Sequence, residues 1–275
     1  MVKVTFLKLG YIGATTLIDA LFDERSSRKN ITLRVISSGV KMSDEEARDT
    51  ANLAVTIPTD LYIVVSPNAS LSGPKIAREI LKETGKPIII VSDEPSRKTL
   101  KKLPEEYGYI VIYADPMIGA KRALLDPIEM AVFNSDVIKV LAVTGVLRLI
   151  HTEIDKVIEQ IQNEVPPEMP RIVVTKTKAM QYSGIENPYA YAKAMASFEA
   201  ARRVATLSTE GTYEVEGKEN FLPILAAGHE LIRYAAKLAD EAREIEKAND
   251  TVSRVAHFRN GNLRSKTKLF DTYKK

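Results

Sequence analysis

Five short apolar runs, separated by stretches with helical patterning, dominate residues 1–113: Val2–Leu9, Ile31–Ser37, Leu61–Val65, Pro87–Val91 and Tyr109–Tyr113. Leu61–Val65 is continuously apolar, which suits a strand covered on both faces, and Pro87–Val91 and Tyr109–Tyr113 repeat that pattern. The intervening segments carry helix signals. Ser43 stands as an N-cap before Asp44, Glu45 and Glu46, whose charges match the positive end of a helix dipole. Pro74 occupies a first helical position ahead of Lys75–Thr84. This alternation predicts an α/β fold with a mostly parallel, Rossmann-like sheet covered by helices. Right-handed crossovers then gather the strand ends at one edge, where ligands usually bind.

Beyond Asp115 the pattern becomes helical. Asp126-Pro127-Ile128-Glu129 is a helix start, with Asp as cap, Pro at the first position and Glu at the third. Helical composition runs to about Glu164, and Pro166, Pro167 and Pro170 end it. Arg171–Thr175 reads as a short strand returning to the sheet. Asn187-Pro188 opens a second helix, rich in alanine, whose small side chains allow close packing inside a bundle. Gly211–Phe221 reads as a β-hairpin turning at Glu216-Gly217-Lys218, and Pro223 opens the last helix. Residues 224, 228, 231, 235, 238, 242 and 245 form a narrow apolar seam along it. The expected organisation is an α/β domain over 1–125, a helical bundle over 126–250 with a hairpin at 211–221, and a basic segment over 251–275 read as an oligomer contact. A cleft is expected between the sheet's strand ends and the bundle.

Composition narrows the chemistry. None of the 275 residues is cysteine, which excludes disulfides, thiolate zinc and cysteine nucleophiles. The three histidines, His151, His229 and His257, form no zinc-hydrolase spacing, and no metal is expected. Lys and Arg total 39 against 36 Asp and Glu, a net charge of +3 that is too small to imply nucleic-acid binding. No apolar stretch approaches the roughly 18 residues of a membrane span. Lys3 and Lys8 interrupt the first apolar run, so it reads as a strand rather than a signal peptide. A cytoplasmic protein is expected.

The candidate ligand contacts lie in the strand-end loops. Gly10-Tyr11-Ile12-Gly13 holds two of the three glycines of a dinucleotide fingerprint. Such glycines let backbone approach a ligand and lead into a helix N-terminus able to meet an anion, but they equally serve a tight turn. After the second strand the chain reads Ser37-Ser38-Gly39-Val40-Lys41, without the acid that an NAD ribose needs. Pro67-Asn68 and Ser92-Asp93 follow later strands, where polar residues could hold a cofactor or simply build turns. In Asp115-Pro116-Met117-Ile118-Gly119-Ala120-Lys121-Arg122, Met117 and Ile118 could face a flat ring, and Lys121 and Arg122 could meet an acidic tail. His229 flanks the seam and is read either as structural or as a ligand contact. No Ser/His/Asp set, paired-carboxylate signature or phosphate loop is present, which favours a reaction carried out by a cofactor.

Several stretches together resemble one family. They are Lys8-x-Gly10-x-x-Gly13, Met117–Arg122, Leu125–Ala131 with Asn134 and Asp136, and Lys139–Ala142 with Thr144-Gly145-Val146. Further on come Glu186–Ala190 with Lys193–Ala196, His229-Glu230, and Leu238–Glu244 with Glu246-Lys247 and Asn249-Asp250. Across nearly the whole chain they resemble the archaeal methylenetetrahydromethanopterin dehydrogenases that use the deazaflavin coenzyme F-420. The visible departure is Tyr11, at a position where a relative carries Asn. The resemblance implies reversible hydride transfer from methylenetetrahydromethanopterin to oxidised coenzyme F-420 in one-carbon metabolism and methanogenesis. It also implies a homohexamer built as a trimer of dimers. Such a reaction needs two rings positioned rather than an acid or base, so no acid–base residue is expected. The coenzyme contacts expected are Lys8, Gly10, Tyr11, Gly13, Pro67, Asn68, Ser92, Met117, Gly119, Lys121 and Arg122. Asp93, Asp115, Glu129 and His229 are expected on the pterin. Two rival readings remain. One is an NADP-dependent methylene-folate-type dehydrogenase, with Ser37, Ser38 and Lys41 on the extra phosphate. The other is a non-enzymatic binding module working through its basic tail.

Overall fold

The structure, a computed structural model, describes residues 1–119, 121 and 123–274. The elements run β1 (Val2–Lys8), α1 (Gly13–Glu24), β2 (Ile31–Ser37), α2 (Asp44–Val55), β3 (Leu61–Ser66), α3 (Ser72–Lys82), β4 (Ile88–Asp93), α4 (Arg97–Leu100) and β5 (Tyr107–Ile112). Then follow α5 (Pro127–Val143), α6 (Val146–Gln162), β6 (Arg171–Val174), α7 (Lys176–Tyr182), α8 (Pro188–Thr209), α9 (Lys218–Ala248), β7 (Arg254–His257) and β8 (Leu263–Lys266). The chain divides into two compact units. One comprises Met1–Ile112, Ile150–Val173 and His257–Leu263; the other comprises Tyr113–Leu149, Val174–Ala256 and Arg264–Lys275.

The first unit is built on a sheet of order β2-β1-β3-β4-β5-β6. Strands β1 to β5 pair in parallel, with Phe6 opposite Ile63 and Val65 opposite Val91. β6 adds beside β5 through the bond from the Tyr109 N–H to the Pro170 carbonyl. β3, β4 and β5 are buried along their whole length, which accounts for their unbroken apolar sequences. The strand order reverses between β1 and β3. That is the topological switch point, where the loops following the two strands leave in opposite directions.

The second unit is helical, with α9 packed against both α5 and α8. Ala190, Ala194, Phe198, Ala201 and Val204 bury one face of α8, and Gly228 of α9 faces Leu207 and Val204. The local start signals are realised in atoms. Asp126 Oδ1 accepts the N–H groups of Ile128 and Glu129 at 2.7 and 2.8 Å. Asn187 Oδ1 accepts those of Tyr189 and Ala190. Among the described residues no single helix is long and apolar enough to cross a membrane.

Three expectations are corrected here. The stretch read as one helix from Asp126 to about Glu164 is two, broken at Gly145, whose φ of +91° disfavours a side chain. A Cβ there would also strike the Ala179 carbonyl. Residues 211–221 form no hairpin. Glu210–Glu214 is a π-turn closed by the Val215 N–H on the Glu210 carbonyl at 3.0 Å, and α9 starts at Lys218, so Pro223 lies inside it. Gly211 is small because Leu225 packs on it, where a Cβ would come within 2.6 Å, and Gly217 precedes a helix instead of turning a hairpin. The two-stranded ribbon that does form is β7–β8. The buried face of α9 is also broader than the seam. Leu225, His229, Ile232, Ala236, Ala239 and Glu246 join Gly228, Ala235 and Ala242, because two helices cover it instead of one.

Candidate functional site

In the first unit, the loops after β1 and β3 meet at the switch point. Gly10 has φ of +87°, and a Cβ on it would lie 2.8 Å from Met42 Sδ and 2.9 Å from Pro67 Cδ. Glycine is therefore required both for the backbone angle and for the approach of Pro67. The chain then enters α1 at Gly13, and the Thr15 N–H bonds the Ile12 carbonyl. The bulk of Tyr11 is turned onto α1, its hydroxyl 2.6 Å from Thr16 Oγ1. Lys8 is ion-paired with Asp19 on the same helix, partly buried, with its ammonium 5.4 Å from the Phe6 ring centroid.

Beside these loops lies a serine knot. Ser92 Oγ, fully buried at the end of β4, donates to the Ser66 carbonyl at 2.6 Å, lies 2.6 Å from Ser96 Oγ and accepts the Ala69 N–H. Asn68 Oδ1 closes its own turn by accepting the Ser70 N–H at 3.0 Å. Asp93 caps the turn after β4, its Oδ1 2.6 Å from the Glu94 N–H. Arg78, buried on α3, donates to the Ala69 carbonyl, and burial holds its guanidinium below the usual arginine range. Ser92 and Arg78 thus fix the shape of the Pro67–Ala69 loop. Ser37 Oγ accepts the Gly39 N–H at 3.0 Å, and Lys41 pairs with Glu46 at 2.7 Å, so the groups invoked for an NADP phosphate have local partners.

In the second unit, Asp115 is fully buried, and Met117 is half-buried. Gly119 lies where Leu225 needs its space, since a Cβ would come within 2.5 Å of Leu225 Cδ2. Lys121 Nζ stands 5.1 Å from the Phe221 ring centroid. Arg122 lies outside the described residues. Glu129, in the first turn of α5, and His229, on α9, are joined by an Nδ1–Oε1 contact of 2.7 Å. The Phe133 ring packs against the imidazole at 4.8 Å between centroids, and Arg233 reaches Glu129 at 3.9 Å. His229 is 5% exposed, and its Nε2 is buried with no hydrogen-bond partner among the described residues. A buried ring nitrogen without a partner is costly unless something else meets it. Glu129 therefore orients an imidazole whose other nitrogen is left buried without a partner among the described residues.

Residue-by-residue reading missed Asp19, Arg78, Ser96 and Phe133. Phe133 was within reach, since it stands four residues after Glu129 and so shares its helix face. Asp19 lies eleven residues from Lys8, Arg78 nine and Ser96 27 residues from Ala69, beyond the span of any helix or turn pattern, so no local pattern marks them.

The comparisons with known proteins agree along the whole chain. The family model described as methylene-5,6,7,8-tetrahydromethanopterin dehydrogenase matches residues 2–274. The F420-dependent methylenetetrahydromethanopterin dehydrogenase of Archaeoglobus fulgidus is 51% identical over 270 residues, 98% of either chain. The one from Methanocaldococcus jannaschii is 44% identical over 273 residues, covering 98% of this chain and 99% of that one. A solved structure of an F420-dependent methylene-tetrahydromethanopterin dehydrogenase, in complex with methylene-tetrahydromethanopterin and coenzyme F420, superimposes with a TM-score of 0.96. It is 38% identical and covers 100% of both chains.

Proposed function

The chain belongs to the methylene-5,6,7,8-tetrahydromethanopterin dehydrogenase family, and from that premise we infer its reaction. It is an oxidoreductase that reversibly transfers a hydride from methylenetetrahydromethanopterin to oxidised coenzyme F-420, leaving the methenyl pterin and the reduced coenzyme. The observation that carries this is the match of the family model from residue 2 to residue 274, with relatives of like length. When bound, F-420 supplies the electrophilic ring carbon that accepts the hydride.

The chain's own residues have three tasks: to bind, to orient and to keep water away. For the coenzyme we assign Lys8, Gly10, Tyr11, Gly13, Pro67, Asn68, Ser92, Met117, Gly119, Lys121 and Arg122. Gly10 serves by letting Pro67 and Met42 pack against the first loop, and Ser92 by holding the shape of the Pro67–Ala69 loop. For the pterin we assign Asp93, Asp115, Glu129 and His229. The buried Nε2 of His229 supports this, because a polar group of the pterin would satisfy it. None of these residues needs to move a proton, since the pterin nitrogens stabilise the cationic product.

A cytoplasmic homohexamer is part of the same reading. Its support is apolar surface left in water: Ile128 on α5 is 75% exposed, and Phe270 in the basic C-terminal segment is 93% exposed. The decisive assay mixes purified chain, methylenetetrahydromethanopterin and oxidised F-420. Loss of the deazaflavin absorbance is expected, and its persistence would end this reading.

A further inference from the structure

A second cluster of chemistry-bearing groups lies in the first unit, among residues given no part in hydride transfer. His151 and Asp155 stand one turn apart on α6, His257 ends β7, Glu24 ends α1, and Arg28 follows it. His151 is 8%, His257 5% and Arg28 7% exposed. His151 Nε2, His257 Nε2 and Asp155 Oδ2 form a triangle. Its sides are 2.9 Å between the nitrogens, 2.6 Å from His257 to Asp155, and 3.0 Å from His151 to Asp155.

Protons do not satisfy this triangle. Arg28 Nη1 donates to Asp155 Oδ1 at 2.8 Å, which favours the ionised carboxylate, and an ionised oxygen only accepts. Both ring nitrogens must then carry hydrogen to bond it, and the two N–H groups face each other at 2.9 Å. If one nitrogen gives up its hydrogen, its lone pair faces the carboxylate instead. A cation at the centre satisfies all three atoms at once.

We propose that His151, His257 and Asp155 bind a divalent transition-metal ion, with Glu24 orienting His257. Two imidazole nitrogens and one carboxylate oxygen suit zinc and its neighbours in the first row. An ion about 2.0–2.1 Å from each donor holds neighbouring donors roughly 2.9–3.4 Å apart, from octahedral to tetrahedral angles. Two sides of the triangle already lie in that range, and the third has to open by a few tenths of an ångström. Glu24 fixes the tautomer. Its Oε2 lies 2.7 Å from His257 Nδ1 and its Oε1 accepts the His257 backbone N–H at 3.0 Å. With the hydrogen on Nδ1, the Nε2 lone pair points to the centre, the carboxylate–histidine–metal arrangement. Glu24 itself lies with both histidines in one group whose ligand atoms fall within 4.8 Å of one another. Glu24 and Asp155 bring two carboxylates to the two imidazoles, and Arg28 pairs with Asp155. The site ties His257 to α1 and α6, a structural role separate from hydride transfer.

The test uses the full chain, stripped with a chelator and titrated with zinc by calorimetry. One equivalent per chain is expected, together with a rise in melting temperature. Cobalt-loaded wild type should show visible d–d bands and hyperfine-shifted imidazole protons from two histidines, a readout that needs no variant. His257→Gln and Asp155→Asn should abolish stoichiometric binding, and Glu24→Gln should weaken it by about 10- to 100-fold. Wild type that takes up no equivalent of zinc, or cobalt spectra without histidine signals, overturns the proposal. So does binding that survives in both ligand variants.

Discussion

Replacing Glu129 by Gln keeps the shape of the α5 first turn and removes only a charge. The wild-type contact joins Glu129 Oε1 to His229 Nδ1 at 2.7 Å, with the imidazole side chain 5% and the carboxylate 29% exposed. A hydrogen bond to a charged partner contributes roughly 1.5–3 kcal/mol, and the solvent reaching Glu129 favours the lower half of that range. A loss of about 1.5–2 kcal/mol lowers the melting temperature of a chain this size by roughly 3–8 °C. The same loss, expressed as disorder of His229, raises the Michaelis constant for the pterin by about ten- to thirtyfold, since 1.4 kcal/mol is one decade. Turnover at saturation should change little, and so should the Michaelis constant for F-420. Thermal unfolding and steady-state kinetics read both effects, and a double-mutant cycle with His229→Gln isolates the coupling. A fall in melting temperature with both Michaelis constants unmoved would show the pair to be structural and sink the pterin assignment. Absence of coupling would refute the energetic reasoning itself.

Three further outcomes are expected. Gly10→Ala forces a side chain into φ of +87° and against Pro67; it should cost about 1–3 kcal/mol in denaturant unfolding and raise the Michaelis constant for F-420 more than that for the pterin. Lys121→Ala should raise the F-420 Michaelis constant by about ten- to a hundredfold, as for one charge-assisted contact, with turnover much less affected, as initial rates over a coenzyme series would show. Asp136 is held above the usual carboxylate range by burial, which outweighs the pull of Lys139 and Arg233. A raised carboxylate pKa penalises the fold at neutral pH, and the penalty fades as pH falls through the folded value. Asp136→Asn should therefore raise the melting temperature at pH 7, with the gain shrinking in acid; an equal gain at every pH would refute the titration account.

The strands and most helix starts were legible because their causes are local. Continuous apolar runs mark strands covered on both faces, and Ser43, Asp126 and Asn187 cap helices through bonds that span two or three residues. The 211–217 stretch misled for the opposite reason. Its glycines suggested a turn, yet Gly211 answers to Leu225, a contact made only once α9 is in place. The buried face of α9 is wider than its apolar seam because a sequence period reports that a helix is covered, not by how many neighbours.

The sites divide in the same way. The expectation that loops at strand ends carry ligand contacts rests on the βαβ pattern alone, and family motifs spread along the chain tell which reaction to expect. That Gly10 abuts Pro67, that Lys8 pairs with Asp19, and that Glu129 meets His229 one hundred residues later were decided by folding. The His151–His257 contact spans 106 residues and three secondary-structure elements contribute to its surroundings, so no spacing rule could reveal it. Backbone preferences and caps act over a few residues and are written in the chain's order. Side-chain convergence depends on how sheet and helices pack, which the order of residues constrains only through the finished fold.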